Sequence, residues 1–539
     1  MPDVETGFGV GVVGRRTARR AVRSAVVWGV LFGALVANEA LSYHSGFPDT
    51  ASRERFAATM GDNRGLTAVT GPARSLDTLG GFVAWRMMSL MLVAGAIWGF
   101  LTATRLMRGE EDAGRWDLLL AGRTSRRHAA GQAVGGLACA WSVLWALTAT
   151  GTVIAGLQPS VGFSVADSLF YATAGVAGAA MFLAVGALTS QLGANRRQAN
   201  ALAAVVFCIS WLLRMLADGQ VLPGWVRWTT PLGWIENLAP LTDPQPWALL
   251  PIALLTGGAG WCAIGLAGRR DVGQGVLTGS SVPPSRTRLL NAPGGLAVRL
   301  ERWPALAWVL GLGALGFVFG LVARAAAEGN FGDSSVGQVV NRDGGHVSLG
   351  AAWLGYEFLY LAAILAFAAA GQIGALRAEE YDGHLDHLIA RPVSRRSWLV
   401  GRLVLGLGLV AMAGMSIGLG GWLGAGGRGG LDALDLLQAA VNVAIPGLVV
   451  LGLGAALYGV APRLAVPLLY GFVLWSFLVE ILAGTLHARW LVHTSVLDLL
   501  GPVPATGLDG QAVTGLLVLA AVAALVGFAA FDRRDLATA

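Results

Sequence analysis

Two stretches of the chain, RGEEDAGRWDLLLAGRTSRR at residues 108–127 and RAEEYDGHLDHLIARPVSRR at residues 377–396, repeat each other without a gap. Ten of their twenty positions are identical. Unrelated stretches share roughly one or two positions at ordinary residue frequencies. Each stretch follows the second long apolar run of its half of the chain. A repeat at corresponding places predicts that the chain is a fused duplication.

The composition predicts the structural class. Of the 539 residues, 55% are hydrophobic and 13% are charged, which leaves too little polar surface for a water-soluble domain of this size. Apolar runs of about 18 to 25 residues are long enough to cross the hydrocarbon core as a helix. Twelve such runs occur, at residues 24–43, 81–104, 130–156, 167–189, 200–218, 248–267, 303–325, 350–374, 398–424, 437–460, 464–486 and 512–531. We predict an all-α integral membrane protein with twelve transmembrane helices.

The basic residues predict the orientation. The chain contains no lysine, so all 38 basic residues are arginines. They outnumber the 32 acidic residues, which gives a formal net charge of +6. They flank the apolar runs, which is typical of topology signals rather than of nucleic-acid binding. Clusters at residues 15–20, 269–270 and 533–534 fall on the same predicted side as the two repeated stretches. We therefore expect a multi-pass protein of a bacterial plasma membrane, with both termini in the cytoplasm.

The spacing of the runs predicts three regions. A first half over residues 1–267 contains six spans, a segment rich in Gly, Ser and Pro over 268–302 is a linker, and a second half over 303–539 contains six more. The end of the linker favours a short amphipathic piece on the membrane surface. Because the linker joins two cytoplasmic ends, the two six-helix halves are expected to be parallel repeats rather than inverted ones.

The repeated stretches lie in two loops, residues 105–128 and 376–397, which we call the first and the second repeated loop. Arginines alone satisfy the inside-positive rule, so the acidic residues in these loops require another explanation. One explanation is a partner that binds the acidic residues. The other explanation is that both copies inherited a solvated loop from a common ancestor. The candidate partner-binding residues are Arg108, Glu110, Glu111, Gly114 and Asp117, with Arg377, Glu379, Glu380, Gly383 and Asp386 in the second loop. Arg126, Arg127, Arg395 and Arg396 are predicted membrane-surface anchors.

The pattern R-x-E-E-x-x-G-x-x-(D/E)-x-L-x-A-x-P-x-S-R after the second span resembles the signature of the permeases of type-2 ABC exporters. With TPLGWIENLAPLTDPQPW at residues 230–247, the chain further resembles the fused twelve-span form found in tetronasin-like or polyketide antibiotic exporters. The resemblance implies that each repeated loop is a coupling loop that docks on a separate ATP-hydrolysing subunit, two copies per chain. It also implies outward transport of a hydrophobic or amphipathic compound across the lipid bilayer.

Departures from that pattern lead to further expectations. Arg123 stands where the family has the proline that Pro392 supplies in the second loop, which predicts two unequal docking sites.

A phosphate-binding P-loop requires a lysine, and this chain has none, so ATP and magnesium are expected in the partner subunits and no cofactor in this chain. Reversal of both Glu111 and Glu380 to arginine is expected to uncouple transport without unfolding the protein.

Five polar residues fall inside predicted spans, where an unpaired charge costs several kcal/mol. They are Glu39, Arg86, Arg214, Glu357 and Glu480. Most lie near predicted outer ends, where snorkelling explains them without a function and a role in an outer vestibule or in ion pairing is the alternative.

Two other classes of function fit the sequence less well. A twelve-span carrier driven by an ion gradient is the alternative, but glutamates stand where major facilitator carriers have a basic motif, and convincing mid-membrane carboxylates are lacking. A membrane enzyme or assembly scaffold is the third class, and no nucleophile with a base, metal-ligand set or pair of carboxylates in a cleft supports an enzyme. His384 and His387 beside Asp386 read as a solvated face rather than as a metal site.

Overall fold

A computed structural model describes residues 11–47, 49–61, 67, 70–120, 124–220, 222–277, 293–328, 349–390, 394–426, 432–482 and 489–534. Within these ranges all of the regular secondary structure is helical, and there is no β-strand. In the described part of the chain, twelve helices are long and apolar enough to cross a membrane. The predicted fold class, an all-α twelve-span membrane protein, is confirmed.

We number the long helices α1 to α12 in chain order. In the first half they are α1 (Val12–Gly46), α2 (Leu79–Leu106), α3 (Arg126–Gly156), α4 (Val165–Leu192), α5 (Arg196–Asp218) and α6 (Leu249–Ala267). In the second half they are α7 (Pro293–Glu328), α8 (Leu349–Tyr381), α9 (Arg395–Ala425), α10 (Ala433–Val460), α11 (Pro462–Leu482) and α12 (Gly510–Arg533). Most are longer than their apolar runs, and residues 483–486 of the eleventh run lie outside the described ranges.

Short polar residues begin several of these helices by capping the unpaired backbone N–H groups of the first turn. Ser125 accepts a hydrogen bond from the His128 amide at the start of α3, and Ser394 accepts one from the Ser397 amide at the start of α9. The two serines occupy the same position in the two copies of the repeat. The Ser-Arg-Arg sequence that closes each repeated loop is therefore a helix start as well as a charged surface.

The same helices pack together in each half. In the first half the most extensive contacts join α1 with α3, α2 with α4, and α4 with α6. In the second half they join α7 with α9, α8 with α10, and α10 with α12, the corresponding pairs. The chain divides into two compact units, Met1–Val282 and Pro283–Ala539. The division falls within residues 268–302, the end of which forms the beginning of α7 rather than a separate helix.

Different connectors join the spans at the end remote from the repeated loops. A helix at Thr50–Gly61 follows α1. The connection from α5 to α6 contains a 3₁₀ turn at Gly224–Thr229 and a helix at Pro231–Asn237, and Asp498–Leu500 is a 3₁₀ turn between α11 and α12. The helix at Pro231–Asn237 begins with a proline at its first turn, where the missing N–H costs nothing, and Thr230 caps it. These connectors place polar side chains against the remote ends of α2 and α5.

The close contact between α1 and α3 depends on paired glycines. A Cβ atom built on Gly151 would lie 2.6 Å from the Cα atom of Gly33, well inside van der Waals distance. Small residues let the backbones of membrane helices approach closely, so that dispersion contacts hold the helices together. The α1–α3 pair is therefore sensitive to any added side chain at this position.

We expect Gly151→Val to separate α1 from α3 and to destabilise the protein by about 1–3 kcal/mol, the usual cost of overpacking. Gly135→Val is the matched control, because Gly135 lies on the same helix and a Cβ there meets no atom within 4 Å. Thermal unfolding in detergent micelles, followed by size-exclusion fluorescence, measures both variants. Equal melting temperatures for the two would show that the Gly33–Gly151 contact does not limit stability.

Candidate functional site

Each repeated loop turns at the glycine that the two copies share. Gly114 has a φ of 68° and Gly383 a φ of 73°, in the left-handed region that glycine enters without steric cost. In the first loop the turn separates the short helices Arg108–Asp112 and Arg115–Leu120. In the second loop α8 continues as far as Tyr381, and the helix His384–Ile389 follows the turn. The glycine therefore determines where each loop reverses direction.

The second glutamate of the first loop is bound to the end of the last span of its half. Both Nη atoms of Arg270 donate to the Glu111 carboxylate at 2.6 Å, and the Gly273 amide donates at 2.7 Å. Arg270 lies three residues beyond the end of α6. The Glu111 side chain is only 3% exposed, so it forms a desolvated, bidentate ion pair.

The second loop repeats this arrangement. Arg534, the residue after the end of α12, donates to the Glu380 carboxylate at 2.8 and 2.7 Å. The Tyr458 hydroxyl on α10 donates to the same carboxylate at 2.6 Å. We call Glu111–Arg270 and Glu380–Arg534 the loop–span ion pairs. In both halves the arginine is the second of an Arg-Arg sequence that follows the last span.

The predicted membrane-surface anchors contribute to the same junctions. The Arg126 guanidinium donates to the Arg270 carbonyl at 2.7 Å, and the Arg395 guanidinium donates to the Arg534 carbonyl at 3.1 Å. The two bonds are equivalent, because each lies within one half and joins the first arginine of Ser-Arg-Arg to the second arginine after the last span. Arg396 pairs with Asp532 near the end of α12 at 2.5 Å, while Arg127 is exposed. Each Ser-Arg-Arg sequence thus also joins the start of the third span to the end of the sixth.

The first glutamate of the first loop is bound to the beginning of α1. The Glu110 carboxylate accepts hydrogen bonds from Arg16 at 3.0 Å and from Arg20 at 2.5 Å. Arg115, across the Gly114 turn, donates to it at 2.8 and 2.7 Å, and this bond raises the pKa of the Arg115 guanidinium. Glu110 therefore connects three segments of chain through a single carboxylate.

Glu379, the equivalent residue of the second loop, reaches the first span of its half indirectly. It pairs with Arg402 on α9 and accepts a hydrogen bond from the Trp398 indole at 3.2 Å. Arg402 in turn pairs with Glu301 on α7 at 3.5 Å. The second half has an acid at the start of its first span, where the first half has arginines. The first glutamate of the second loop is therefore also connected to the first span of its half, but through Arg402.

The arginine that begins each repeat is bound differently in the two halves. Arg108 is fully buried and pairs with Glu111 and Asp112, each at 3.1 Å. Its guanidinium also donates to three backbone carbonyls, those of Ala194, Gly273 and Gln274. Two of these carbonyls belong to the first residues of the predicted linker. The linker therefore covers the first loop from one side.

Arg377 has no comparable cover in the described part of the second half. It lies 3.8 Å from Glu380 and over the ring of Tyr381 at 5.6 Å. The two repeated loops are therefore unequal in the surroundings of their first arginine. The inequality predicted from Arg123 and Pro392 concerns residues 121–123 and 391–393, which lie outside the described ranges.

Burial of the glutamates changes one expectation from the sequence. Arginine at position 111 or 380 would face Arg270 or Arg534 in a desolvated site, so the double reversal is expected to disrupt the loops rather than to leave the protein folded. The surface that remains accessible is elsewhere. It includes Asp112, Ala113, Gly114, Asp117 and Leu118 in the first loop and Tyr381, Asp382, His384, Asp386 and His387 in the second. Leu118 is 79% exposed and Tyr381 is 58% exposed, so each loop presents one large apolar side chain outside its buried ion pairs.

Comparison with known proteins gives the family. The family model described as multidrug efflux system permease Rv1217c, C-terminal domain, matches residues 51–270 and 290–532. The chain belongs to this family of efflux permeases. It is also 30% identical to the multidrug efflux system permease protein Rv1217c of Mycobacterium tuberculosis, over 99% of this chain and 96% of that protein. This efflux permease is therefore a multi-pass membrane protein, similar to its relative over the full length of both.

Two of the five polar residues predicted within the spans of the permease are brought together. Arg86 on α2 pairs with Glu39 on α1 at 3.0 Å. Glu357 is half-buried on α8. Glu480 on α11 is half-buried too, and its Oε2 atom has no hydrogen-bond partner in the described ranges. Pairing explains Glu39 and Arg86 without a transport role.

Arg214 belongs to a buried cluster that the sequence analysis missed. It lies 3.4 Å from Asp218, one helical turn away, and 3.9 Å from Glu236 on the connector to α6. Arg227 reaches Asp218 as well, at 3.4 Å. The spacing of Arg214 and Asp218 on one helix was an available signal. Glu236 and Arg227 lie on the connector, and only the folded chain brings them near.

Sequence reasoning also missed Arg270 and Arg534 as partners of the repeated loops. The available signal was the Arg-Arg sequence after the last span of each half, which was interpreted only as a topology signal. Among the described residues, no group of three or more His, Cys, Asp and Glu side chains is placed to hold a metal ion.

We expect Arg270→Gln to destabilise the permease by about 3–5 kcal/mol, because Glu111 would then remain buried without its counter-charge. Arg269→Gln is the control, since Arg269 is the adjacent, exposed arginine. The same comparison applies to Arg534→Gln and Arg533→Gln in the second half. Thermal unfolding in micelles should separate each pair by several degrees, and the double variant Glu111→Gln with Arg270→Gln should recover part of the loss. If Arg270→Gln and Arg269→Gln melt alike, the loop–span ion pair does not hold the loop.

Proposed function

We propose that this chain is the membrane subunit of an ATP-driven exporter, which extrudes hydrophobic or amphipathic compounds and is powered by separate ATPase subunits that dock on the two repeated loops. The observation that carries the proposal is the loop–span ion pair, present in both halves. It fixes the position of each loop relative to the end of a membrane span. A merely solvated loop would not require buried, bidentate pairs at equivalent places.

The accessible residues of the loops supply the docking surface in this proposal. Leu118 and Tyr381 offer apolar contact area, and Asp117 and Asp386 offer charge at equivalent positions. Interfaces commonly use such a combination, with a desolvated apolar anchor and polar groups around it. Arg108, Glu110, Glu111 and Glu380 then act as positioning residues, because they are buried and hold the docking residues in place.

Mechanical transmission follows from the bonds of each loop. A displacement of the first loop would be passed to α6 through Arg270 and to α1 through Arg16 and Arg20. In the second half it would be passed to α12 through Arg534 and, by way of Arg402, to α7. Buried ion pairs transmit displacement because separating them exposes uncompensated charges. The first and last spans of each half would therefore move with their loop.

ATP chemistry belongs to the partner in this proposal. A P-loop uses a lysine on the terminal phosphates, and the chain has no lysine. Two copies of one ATPase subunit, with their ATP and magnesium, would serve the two loops. The relative from Mycobacterium tuberculosis is named for multidrug efflux, which supports a hydrophobic or amphipathic compound as substrate and outward transport. The arginine distribution supports a cytoplasmic position for the loops and both termini in a bacterial plasma membrane.

We expect Leu118→Glu to weaken binding of the ATPase about tenfold or more, because it places a charge at a desolvated anchor. Tyr381→Glu tests the second loop in the same way. Leu157→Glu is the control, since Leu157 is 68% exposed but follows α3 at the remote end. Each tagged variant is purified in mild detergent from its native membrane, and the co-purifying ATPase is quantified per permease.

Two ATPase copies per wild-type chain, fewer with the loop variants and two with Leu157→Glu, are the expected result. Absence of any ATPase from intact wild-type permease would contradict the proposal and favour a carrier driven by an ion gradient. Equal loss with Leu118→Glu and Leu157→Glu would show that the loops are not the docking surface.

A further inference from the structure

Helix α1 begins with five arginines, at residues 15, 16, 19, 20 and 23, and residues 11–23 contain no acidic residue. The first repeated loop uses two of the five, because Arg16 and Arg20 bind the Glu110 carboxylate. The other three, Arg15, Arg19 and Arg23, are exposed, and within the described ranges their side chains make neither an ion pair nor a hydrogen bond. Three guanidinium groups therefore have no counter-charge in the described part of the chain.

The charge around Glu110 is strongly positive. Its carboxylate already binds three guanidinium groups, those of Arg16, Arg20 and Arg115. With the three exposed arginines of α1, six guanidinium groups lie in this region, and among the described residues their ion pairs reach one carboxylate. An anion from outside the chain would therefore be attracted to the beginning of α1.

The three exposed arginines lie on one face of α1. At 3.6 residues per turn, Arg15, Arg19 and Arg23 fall within about 80° of the helix circumference. Val26 and Val30 fall inside the same arc, and they are 41% and 54% exposed. We call this surface, made of Arg15, Arg19, Arg23, Val26 and Val30, the outer face of α1.

The opposite side of α1 is occupied by the helix bundle of the first half. Ala21 and Ala25 are fully buried. A Cβ atom on Gly136 of α3 would lie 2.7 Å from the Gly14 carbonyl oxygen, so the two helices are in close contact there. The outer face is therefore directed away from α3.

The outer face continues from the polar end of α1 into its apolar run, residues 24–43. Exposed side chains at the depth of Val26 and Val30 meet lipid tails. Arg23 precedes Val26 by about 4.5 Å along the helix axis, at a rise of 1.5 Å per residue. The head-group layer of a bilayer is roughly 5–8 Å thick on each side, and long arginine side chains extend toward it. The arginines of the outer face thus lie at and just beyond the lipid head groups.

We propose that the outer face of α1 binds the phosphate head groups of anionic phospholipids, in the leaflet at the end of the molecule where the repeated loops lie. Guanidinium groups bind phosphate oxygens through paired, charge-assisted hydrogen bonds, and the acyl chains continue along Val26 and Val30. Clusters of basic residues next to a membrane span attract anionic lipids more strongly with each added charge. A zwitterionic lipid offers the same phosphate together with a compensating cation, so the net charge selects the lipid class.

The proposed lipid site lies next to the contacts that hold the first repeated loop. Arg16 and Arg20 are on the flank of the outer face and bind Glu110. A lipid phosphate on Arg15, Arg19 or Arg23 would reduce the excess positive charge in this region and leave the ion pairs of Glu110 intact. Lipid binding itself requires no motor, whereas an effect of the lipid on transport rests on the proposed function.

The first span of the second half does not repeat this face in the described residues. Residues 293–303 contain two arginines, Arg299 and Arg302, with Glu301 between them. Leu300 and Trp303 are 45% and 59% exposed, so the surface before this span is largely apolar. The proposed site is therefore specific to the first half.

The test uses two photoreactive phospholipids with identical acyl chains, a phosphatidylglycerol and a phosphatidylcholine, each with a diazirine close to the head group. Purified full-length permease is reconstituted in phosphatidylcholine nanodiscs without ATPase or ATP, and either probe is added in the same small amount. Mass spectrometry quantifies labelling of residues 24–34. The phosphatidylglycerol probe is expected to label this segment about tenfold or more above the phosphatidylcholine probe, since each basic residue near the membrane contributes roughly fivefold in affinity.

The α1 variant, Arg15→Gln with Arg19→Gln and Arg23→Gln, should lose this preference. The control variant removes the same charge from exposed arginines on three other helices, by Arg197→Gln, Arg463→Gln and Arg533→Gln. It should keep the preference. Equal labelling by the two probes in the wild type, or a preference that survives in the α1 variant, would overturn the proposal.

Equal loss in the α1 and control variants would also overturn it, because net charge rather than the outer face would then attract the lipid. Matching melting temperatures of the wild type and both variants exclude unfolding as the cause of any loss.

A soluble phosphate is the other source of the same chemistry, so labelling is repeated with excess inorganic phosphate and with chloride at equal ionic strength. A preference that persists in phosphate as it does in chloride supports a lipid as the occupant. A preference that phosphate removes and chloride does not would assign the arginines to a soluble anion and overturn the lipid proposal. Because no ATPase is present, the outcome is separate from whether the permease is ATP-driven.

Discussion

The bidentate ion pair between each repeated loop and the end of the last span is the constraint on which the architecture at the loop end of each half depends. A carboxylate as buried as that of Glu111 or Glu380 is tolerated only when an opposite charge and further donors replace the water it has lost. Arg270 and Arg534 can provide that charge only if α6 and α12 end where they do. The lengths of the last spans, the positions of the glycine turns and the surroundings of the loops are therefore coupled. Arg126 and Arg395 add the start of the third span to the same junction.

This constraint explains why an acidic pair is retained where topology requires only arginines. The second glutamate of each pair binds the last span, and the first binds the first span, directly through Arg16 and Arg20 or indirectly through Arg402. Exposed ion pairs contribute little to stability because water screens them, whereas the pairs Glu111–Arg270 and Glu380–Arg534 are desolvated and bidentate. The glutamates act by positioning the exposed residues of the loops rather than by offering their own charges to a partner.

Duplication has retained this junction and changed what surrounds it. The linker covers Arg108 in the first half, whereas Arg377 has no equivalent cover in the described residues. At the remote end of the first half, Arg214 lies buried between Asp218 and Glu236, whereas Glu480 is half-buried on α11 of the second half. A fused chain permits such divergence because each half folds against its own partners and is not required to match an identical copy. The two halves of this efflux permease are thus chemically different at both membrane surfaces.

The sequence by itself determined the class, the number of spans and the duplication, because hydrophobic length and the spacing of a repeat are properties of the chain alone. It also located the repeated loops and the identity of their charged residues. Only the tertiary structure decided which groups those charges meet. Glu111 and Arg270 are separated by 159 positions in the chain, and Glu380 and Arg534 by 154, so no local pattern specifies either contact. For the same reason the sequence left Glu110 and Glu111 as candidates for an external partner, whereas the fold buries them against arginines of the same half and leaves Leu118 and Tyr381 exposed. Burial arises when segments distant in sequence pack together, so it is decided by the tertiary structure.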